Sequence, residues 1–221
     1  MKKSLYTILL SLVLLVVACE TDNYDKGEGA YSQMLADLCE LTIDGQKQGI
    51  SFVTDDGDRY VLHEPITGEW ITTADTTYRM RLYYSRLAEG KAELIAAGSV
   101  ATLVPIEHWR IAPQPQDPLG LESAWLSKSG KYLNLGILTK TGRISDEELP
   151  HNIGLVQDTI INHSNGQRTA YYRLLHSQNG IPEYYTNRRF VSILLPQATP
   201  LDTIYFSMQT YDGEWKRIFV K

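Results

Sequence analysis

Residues 77–84 read Thr77-Tyr78-Arg79-Met80-Arg81-Leu82-Tyr83-Tyr84. Side chains along an extended strand point alternately to two faces. That spacing puts Tyr78, Met80, Leu82 and Tyr84 on one face and Arg79, Arg81 and Tyr83 on the other. One face suits a core and the other faces away from it, so the stretch predicts a half-buried strand. Working outward, the flanking sequence repeats the same grammar. Leu38–Ile43 runs into the turn dipeptide Asp44-Gly45, and Ile50–Thr54 follows. Asp55-Asp56-Gly57-Asp58 then leads into Tyr60-Val61-Leu62 as a tight hairpin. Ala92–Val104 supplies a fifth, long strand, bent or bulged near Gly98.

Five strands within about 70 residues suit a small barrel of the OB type. Many such barrels carry a helix between strands three and four. Here Glu64–Asp75 contains Pro65, Gly68 and several threonines, and a loop is expected instead. Pro105, Pro113, Pro115 and Pro118 frame an irregular connection. Ala112–Gly120 (APQPQDPLG) is the expected linker, short and fairly stiff. Seven further strands follow, at 121–126, 132–138, 153–161, 168–175, 189–195, 203–211 and 215–220. Ser129-Gly130, Asn165-Gly166, Asn179-Gly180 and Asp212-Gly213 mark turns between them, the last being the strongest hairpin signal in the chain. Ser145-Asp146-Glu147-Glu148 has capping-box spacing and predicts one short helical turn. Seven strands in about 100 residues, with frequent turns and no disulfide, point to an Ig-like β-sandwich. The expected fold is therefore all-β. It comprises an OB-like five-stranded barrel over 33–111, a linker over 112–120 and a seven-stranded sandwich over 121–221.

The first residues carry a different signal. Lys2 and Lys3 precede Leu5–Val17, an apolar run interrupted only by Thr7 and Ser11. Signal-peptide cores span about 7–15 residues, whereas a spanning helix needs about 20. The run ends in Val16-Val17-Ala18-Cys19, which resembles the lipobox of bacterial lipoproteins, with Val16 in place of the commoner leucine. The resemblance implies a signal peptide over 1–18 and lipidation, with palmitate among the acyl chains, at Cys19. Two or more acyl chains on one residue give stable anchoring, whereas one gives marginal binding. Residues 19–32 are acidic, contain glycine and nearly lack aliphatics, so they read as a flexible tether. Its reach is about 20 Å. The expected location is the cell envelope of a Gram-negative bacterium, lipid-anchored and in the outer membrane, facing the periplasm or the surface.

Composition narrows the function. The 221 residues carry a formal charge of −5, which becomes −7 once Lys2 and Lys3 leave with the signal. An acidic chain with no basic block is a poor partner for nucleic acid. Of the two cysteines, Cys19 is assigned to lipid. Cys39 is then left alone as a buried strand residue with no internal disulfide. Fourteen tyrosines and four tryptophans, with many Thr, Val and Ile, favour strands over helices.

No catalytic constellation emerges, and no enzyme, metal site or cofactor is expected. Asp55, Asp56 and Asp58 lack the spacing of a calcium loop. The five histidines, His63, His108, His151, His163 and His176, form no zinc-ligand motif. There is no Gly-x-Ser-x-Gly elbow, and no carboxylate pair stands out; Glu147-Glu148 read as helix-start charges. The aromatics are more informative. Adjacent aromatics in a strand face opposite ways, so Tyr83-Tyr84, Tyr171-Tyr172 and Tyr184-Tyr185 each predict an exposed ring. Tyr184, Tyr185 and Arg188 form the candidate binding edge for protein or sugar. Three Asp-Thr-apolar or Asp-Thr-Thr tripeptides, at 75–77, 158–160 and 202–204, resemble periplasmic O-glycosylation acceptors. Asn162-His163-Ser164 matches an N-glycosylation sequon.

The lipobox, the acidic tether, Tyr31-Ser32 with Ala36-Asp37-Leu38, the Asp55-Asp56-Gly57 hairpin and the C-terminal sandwich together resemble the NigD-like lipoproteins. The resemblance covers essentially the whole mature chain and implies an N-terminal OB-like domain followed by a β-sandwich. It implies a bacteriocin-immunity-like role and transfers no catalytic residue or cofactor; only lipidation at Cys19 carries over residue by residue. The expected partners are a membrane through the lipid anchor and an unidentified protein or polysaccharide. The alternative reading is a surface adhesin or glycan-binding module.

Overall fold

A computed structural model describes residues 33–142 and 150–221. The lipobox, Cys19, the tether and the helical turn expected at 145–148 lie outside the described residues.

Five strands close into a barrel in the order β1-β2-β3-β5-β4: β1 (Leu35–Ile43), β2 (Gly49–Thr54), β3 (Arg59–Ile66), β4 (Thr76–Arg86) and β5 (Lys91–Ser99). β1 pairs antiparallel with both β2 and β4, and a short parallel pairing of Val61-Leu62 with Lys91-Ala92 completes closure. The interior is filled by side chains, as a five-stranded barrel requires. Leu41, Phe52, Leu82 and Tyr84 are fully buried in it. Phe52 and Tyr84 meet edge to face with centroids 4.9 Å apart, and the Tyr84 hydroxyl donates to Asp37 Oδ2 at 2.8 Å. Each large apolar side chain buried this way contributes about 1.5–3 kcal/mol. Cys39 is wholly buried, and burial pushes its thiol up to about 12, so it behaves as an inert apolar side chain. The loop expected over Glu64–Asp75 begins only at 67, because β3 runs through Pro65 to Ile66.

The remaining strands are β6 (Ala101–Leu103), β7 (Ile106–Glu107), β8 (Gly120–Leu126), β9 (Tyr132–Thr141), β10 (Asn152–Asn162), β11 (Arg168–Ser177), β12 (Tyr185–Leu194), β13 (Thr203–Thr210) and β14 (Gly213–Val220). They form one sheet in the order β14-β13-β11-β10-β7 and another in the order β6-β12-β9-β8. Leu133, Leu135 and Ile137 of β9 alternate inward to meet Leu155, Tyr172, Ile204 and Phe206 in a single core. All seven expected strands are present. Two short ones are added, and β7, β6 and β13 pair in parallel with β10, β12 and β11 respectively. At the Asp212-Gly213 hairpin, Gly213 takes φ 113°, a region side chains avoid.

Two further expectations change. The apolar run 92–104 is two strands, not one bent one. β5 closes the barrel and β6 joins the sandwich, with buried Val100 between them donating its N–H to the Arg79 carbonyl at 3.0 Å. Residues 101–107 therefore belong to the sandwich sheets, although the sequence groups them with the barrel. Hydrophobic periodicity reports that a stretch is extended and buried; it carries no mark of which sheet it joins. The Pro-rich stretch 112–120 likewise lies beyond the crossover, strapped along the sandwich. Asp117 N–H donates to the His176 carbonyl at 3.0 Å, Leu119 N–H donates to the Gln209 carbonyl at 3.0 Å, and the Leu119 side chain is in the core.

Candidate functional site

The outward face of β4 decides how barrel meets sandwich. Arg79 lies on that face, yet it is only 8% exposed. Its guanidinium grips Asp55 with two bonds, Nη1 to Oδ1 at 2.7 Å and Nη2 to Oδ2 at 2.6 Å. Its Nε donates to Ser192 Oγ at 3.0 Å and Nη2 donates to Asn134 Oδ1 at 3.1 Å. Asn134 Nδ2 returns a bond to Asp55 Oδ2 at 2.7 Å, and Ser192 Oγ donates to Asn134 Oδ1 at 2.8 Å. The Tyr132 ring lies 4.0 Å beneath the guanidinium. Asp55 is thus held by an arginine and an amide. Alongside, Glu40 of β1 accepts from Lys131 and from the Tyr132 hydroxyl. Burial works to raise the Glu40 carboxyl, but these bonds and charges outweigh it and hold it below the usual range.

Two residues further along the same face, the junction opens. Arg81 is half-buried, its guanidinium 4.9 Å from the Tyr83 ring and 4.4 Å from the Phe190 ring. Arg188 approaches Phe190 as well, at 5.7 Å, and forks onto Glu122 across the sheet. Arg189 is exposed and has no hydrogen bond or ion pair among the described residues. A cleft of about 500 Å³ lies between these groups. Its lining includes Arg81, Arg188, Arg189 and His151, together with Val100, Leu103 and Val191. Among the described residues the cleft lining carries three guanidiniums and no carboxylate, with Glu122 paired to Arg188 beside it, in a chain that is acidic overall.

β12 makes one wall for a topological reason. β9 pairs with its whole length, but β6 pairs with Val191–Ile193 alone. The edge from Tyr185 to Phe190 has no strand neighbour among the described residues, and such an edge offers unpaired backbone groups. Tyr184, Tyr185 and Arg188, the sequence-derived binding edge, lie at this free end. Tyr184 and Tyr185 are 74% and 53% exposed. Both are exposed because Tyr184 precedes the strand, so strand alternation does not bind the pair. The Tyr184 ring rests on Gly142, where an added Cβ would come within 2.6 Å. Only Arg188 of the three lines the cleft.

His151 joins the cleft through a pair. His176 Nδ1 lies 3.1 Å from the Asp117 carbonyl, and His176 Nε2 lies 2.9 Å from His151 Nδ1, the rings stacked at 5.1 Å. Burial lowers both imidazoles below their usual value; in His151 the neighbouring His176 and Arg189 add to it. A carbonyl oxygen only accepts, so in neutral rings His176 Nδ1 donates to it. His176 Nε2 then accepts from His151 Nδ1–H. This leaves His151 Nε2 a bare acceptor, buried and without a partner among the described residues. His163 bonds Thr169 Oγ1 at 2.9 Å. Among the described residues no three His, Cys, Asp or Glu side chains are placed to hold a metal.

A second concavity, also about 500 Å³, lies on the outer face of the five-stranded sheet. Tyr171 and Tyr205 stack there across parallel strands, centroids 4.7 Å apart, with exposed Ile218 beside them. As alternation predicts, Tyr172 and Tyr84 point inward and Tyr171 and Tyr83 outward. Of the tripeptide threonines, Thr159 is exposed and Thr76 and Thr203 are half-buried.

No protein-family model matches the sequence, and no curated protein matches it. Solved structures do share its fold. A NigD-like immunity protein from Bacteroides caccae ATCC 43185 superposes with a TM-score of 0.65 at 20% identity, over 84% of this chain and 97% of that one. A candidate toxin-related protein from Parabacteroides distasonis ATCC 8503 gives 0.64 at 15% identity, over 85% and 93%. A candidate lipoprotein from Bacteroides fragilis NCTC 9343 gives 0.58 at 15% identity, over 85% and 96%. The barrel-plus-sandwich fold of the NigD-like immunity protein is therefore the fold of this chain.

Proposed function

We propose that this protein is a lipid-anchored envelope lipoprotein that works by binding, in an immunity-like role, and that the cleft between barrel and sandwich is where it binds. The observation that carries the reading is the set of three guanidiniums gathered at one end of the junction. Arg81 and Arg188 are oriented by Phe190, Tyr83 and Glu122, and exposed Arg189 lines the same cleft, in a net-acidic chain. Pre-oriented arginines are recognition groups for carboxylate and phosphate. The lipobox-like Val16-Val17-Ala18-Cys19 supports an anchor at Cys19, and the acidic tether supports display of the globule some distance from the bilayer. The name of the B. caccae neighbour supports the immunity-like role, in which the protein sequesters a toxin or shields its membrane target.

The test is crosslinked capture from the native envelope, comparing wild type, Cys19→Ala and Arg189→Glu. A partner lost in both variants is the expected result. A partner retained by Arg189→Glu removes the cleft from the reading. Deleting the gene is expected to raise bacteriocin sensitivity, and unchanged sensitivity would remove the immunity-like role.

A further inference from the structure

Resting on the cleft as the binding site, we infer that its ligand is an extended segment of a partner protein, acidic at two adjacent positions, which adds as a strand to the open edge of β12. The edge is open because the chain that would cover it leaves. β6 pairs with β12 from Ala101 opposite Val191 onward, whereas the residues before it, 92–99, turn away to pair with β4 in the barrel. The place beside 185–190 is thereby vacated over six residues, the length of a common strand. Alternate N–H and C=O groups along that edge point away from β9 and have no strand to meet among the described residues. The cleft runs along this edge, lined by Gly98 and Ser99 on one side and by 188–191 on the other. A small anion answers the guanidiniums and leaves the backbone groups unmatched. An extended peptide answers both, its main chain supplying affinity and its side chains selectivity.

The side chains of β12 say which peptide. Arg188 and Phe190 share the face that meets Arg81, and Ser192 on that face accepts from Arg79. Arg189 shares the opposite face with the core residues Val191 and Ile193. A strand laid alongside also presents successive side chains to opposite faces, so two consecutive carboxylates reach both, one toward Arg81 and one toward Arg189. Opposite charges across neighbouring strands attract, and like charges directly opposite are unfavourable. The edge reads Tyr185-Thr186-Asn187-Arg188-Arg189-Phe190, with no proline to block pairing and no carboxylate to repel an acidic strand. Its adjacent arginines disfavour a second copy of the same edge. The occupant is therefore an acidic strand of another protein.

The experiment is fluorescence anisotropy with the full chain carrying Cys19→Ala. The probe is a labelled, end-blocked hexapeptide of valine and threonine with two adjacent glutamates at its centre. Saturable binding is expected, at least tenfold tighter than that of the same peptide with two central lysines. Two N-methylated forms of the acidic peptide, carrying the methyl groups on opposite sets of alternate residues, report which N–H groups pair. One form is expected to lose at least tenfold and the other less than threefold, because only one edge of an added strand meets β12. Arg189→Glu, which breaks no contact within the described residues, is expected to weaken binding at least tenfold. Absence of binding, equal affinity for the lysine peptide, equal effects of the two N-methylated forms, insensitivity to Arg189→Glu, or tighter binding of a galacturonate trimer would overturn the inference. Should it be overturned while an Arg189-dependent partner is still captured from the envelope, the proposed function stands and the strand addition alone falls.

Discussion

Arg79 and Arg81 are two residues apart on one face of one strand, and they have opposite fates. Arg79 is sealed between barrel and sandwich, every neighbour a matched acceptor or an aromatic face. Arg81, about 7 Å further along the strand, stands where the two parts diverge, and aromatic rings hold it facing open space. The closed end of the junction makes the barrel and sandwich one unit, consistent with residues 35–221 forming a single compact body. The open end is left to bind. The difference teaches that an arginine's role is set by what the opposite surface supplies: Asp55, Asn134 and Ser192 at one point, solvent at the next.

The sharpest way to break this comparison is to truncate each arginine. Arg79→Ala strands the Asp55 carboxylate, whose side chain is 15% exposed. Removing one partner of a buried pair costs about 3–5 kcal/mol, read as a fall in the midpoint of urea unfolding. Arg81→Ala removes two cation–π contacts but strands no buried charge, and is expected to cost about 1 kcal/mol. Equal losses would erase the distinction between a structural and a binding end.

Asn134→Ala tests the closed end more gently. It leaves Asp55, Arg79 and Ser192 each short of one hydrogen bond and is expected to cost about 1–3 kcal/mol in the same denaturation series. A neutral result would mean that the network is redundant around the Arg79–Asp55 pair.

Acid titration sharpens the open end. His151 and His176 both titrate below 6.5 in the folded chain, so the unfolded state binds the proton more tightly. Stability from this pair is complete above about pH 6.5 and declines as pH falls below it. His176→Gln is expected to flatten the loss between pH 6.5 and 5 in thermal melts; an unchanged slope would show that the pair does not stay neutral in the native state. The smallest expected effect is at Cys39. With the thiol buried and pushed up to about 12, a thiol reagent is expected to label it only on unfolding. Rapid labelling of the native protein would show that the barrel opens.

The sequence by itself determined that the chain is all-β, where nearly every strand lies, and which face of β4 fills the barrel. These follow from local pattern: side-chain alternation and turn residues act over a few neighbours, so they are written in consecutive positions. It also marked Tyr184, Tyr185 and Arg188 as one edge, because they are close in the chain. Arg81 was legible only as a residue on the second face of its strand. His151 carried no signal at all, since its partner His176 lies 25 residues away and its neighbour Arg189 lies 38 away. Only the tertiary structure decided that the run through Val100 changes sheets, that the prolines at 113–118 strap the sandwich, and that Arg79 is structural. The reason is physical. Which sheet a strand joins, and which surface an arginine meets, depend on contacts between residues tens of positions apart, and no local periodicity encodes them.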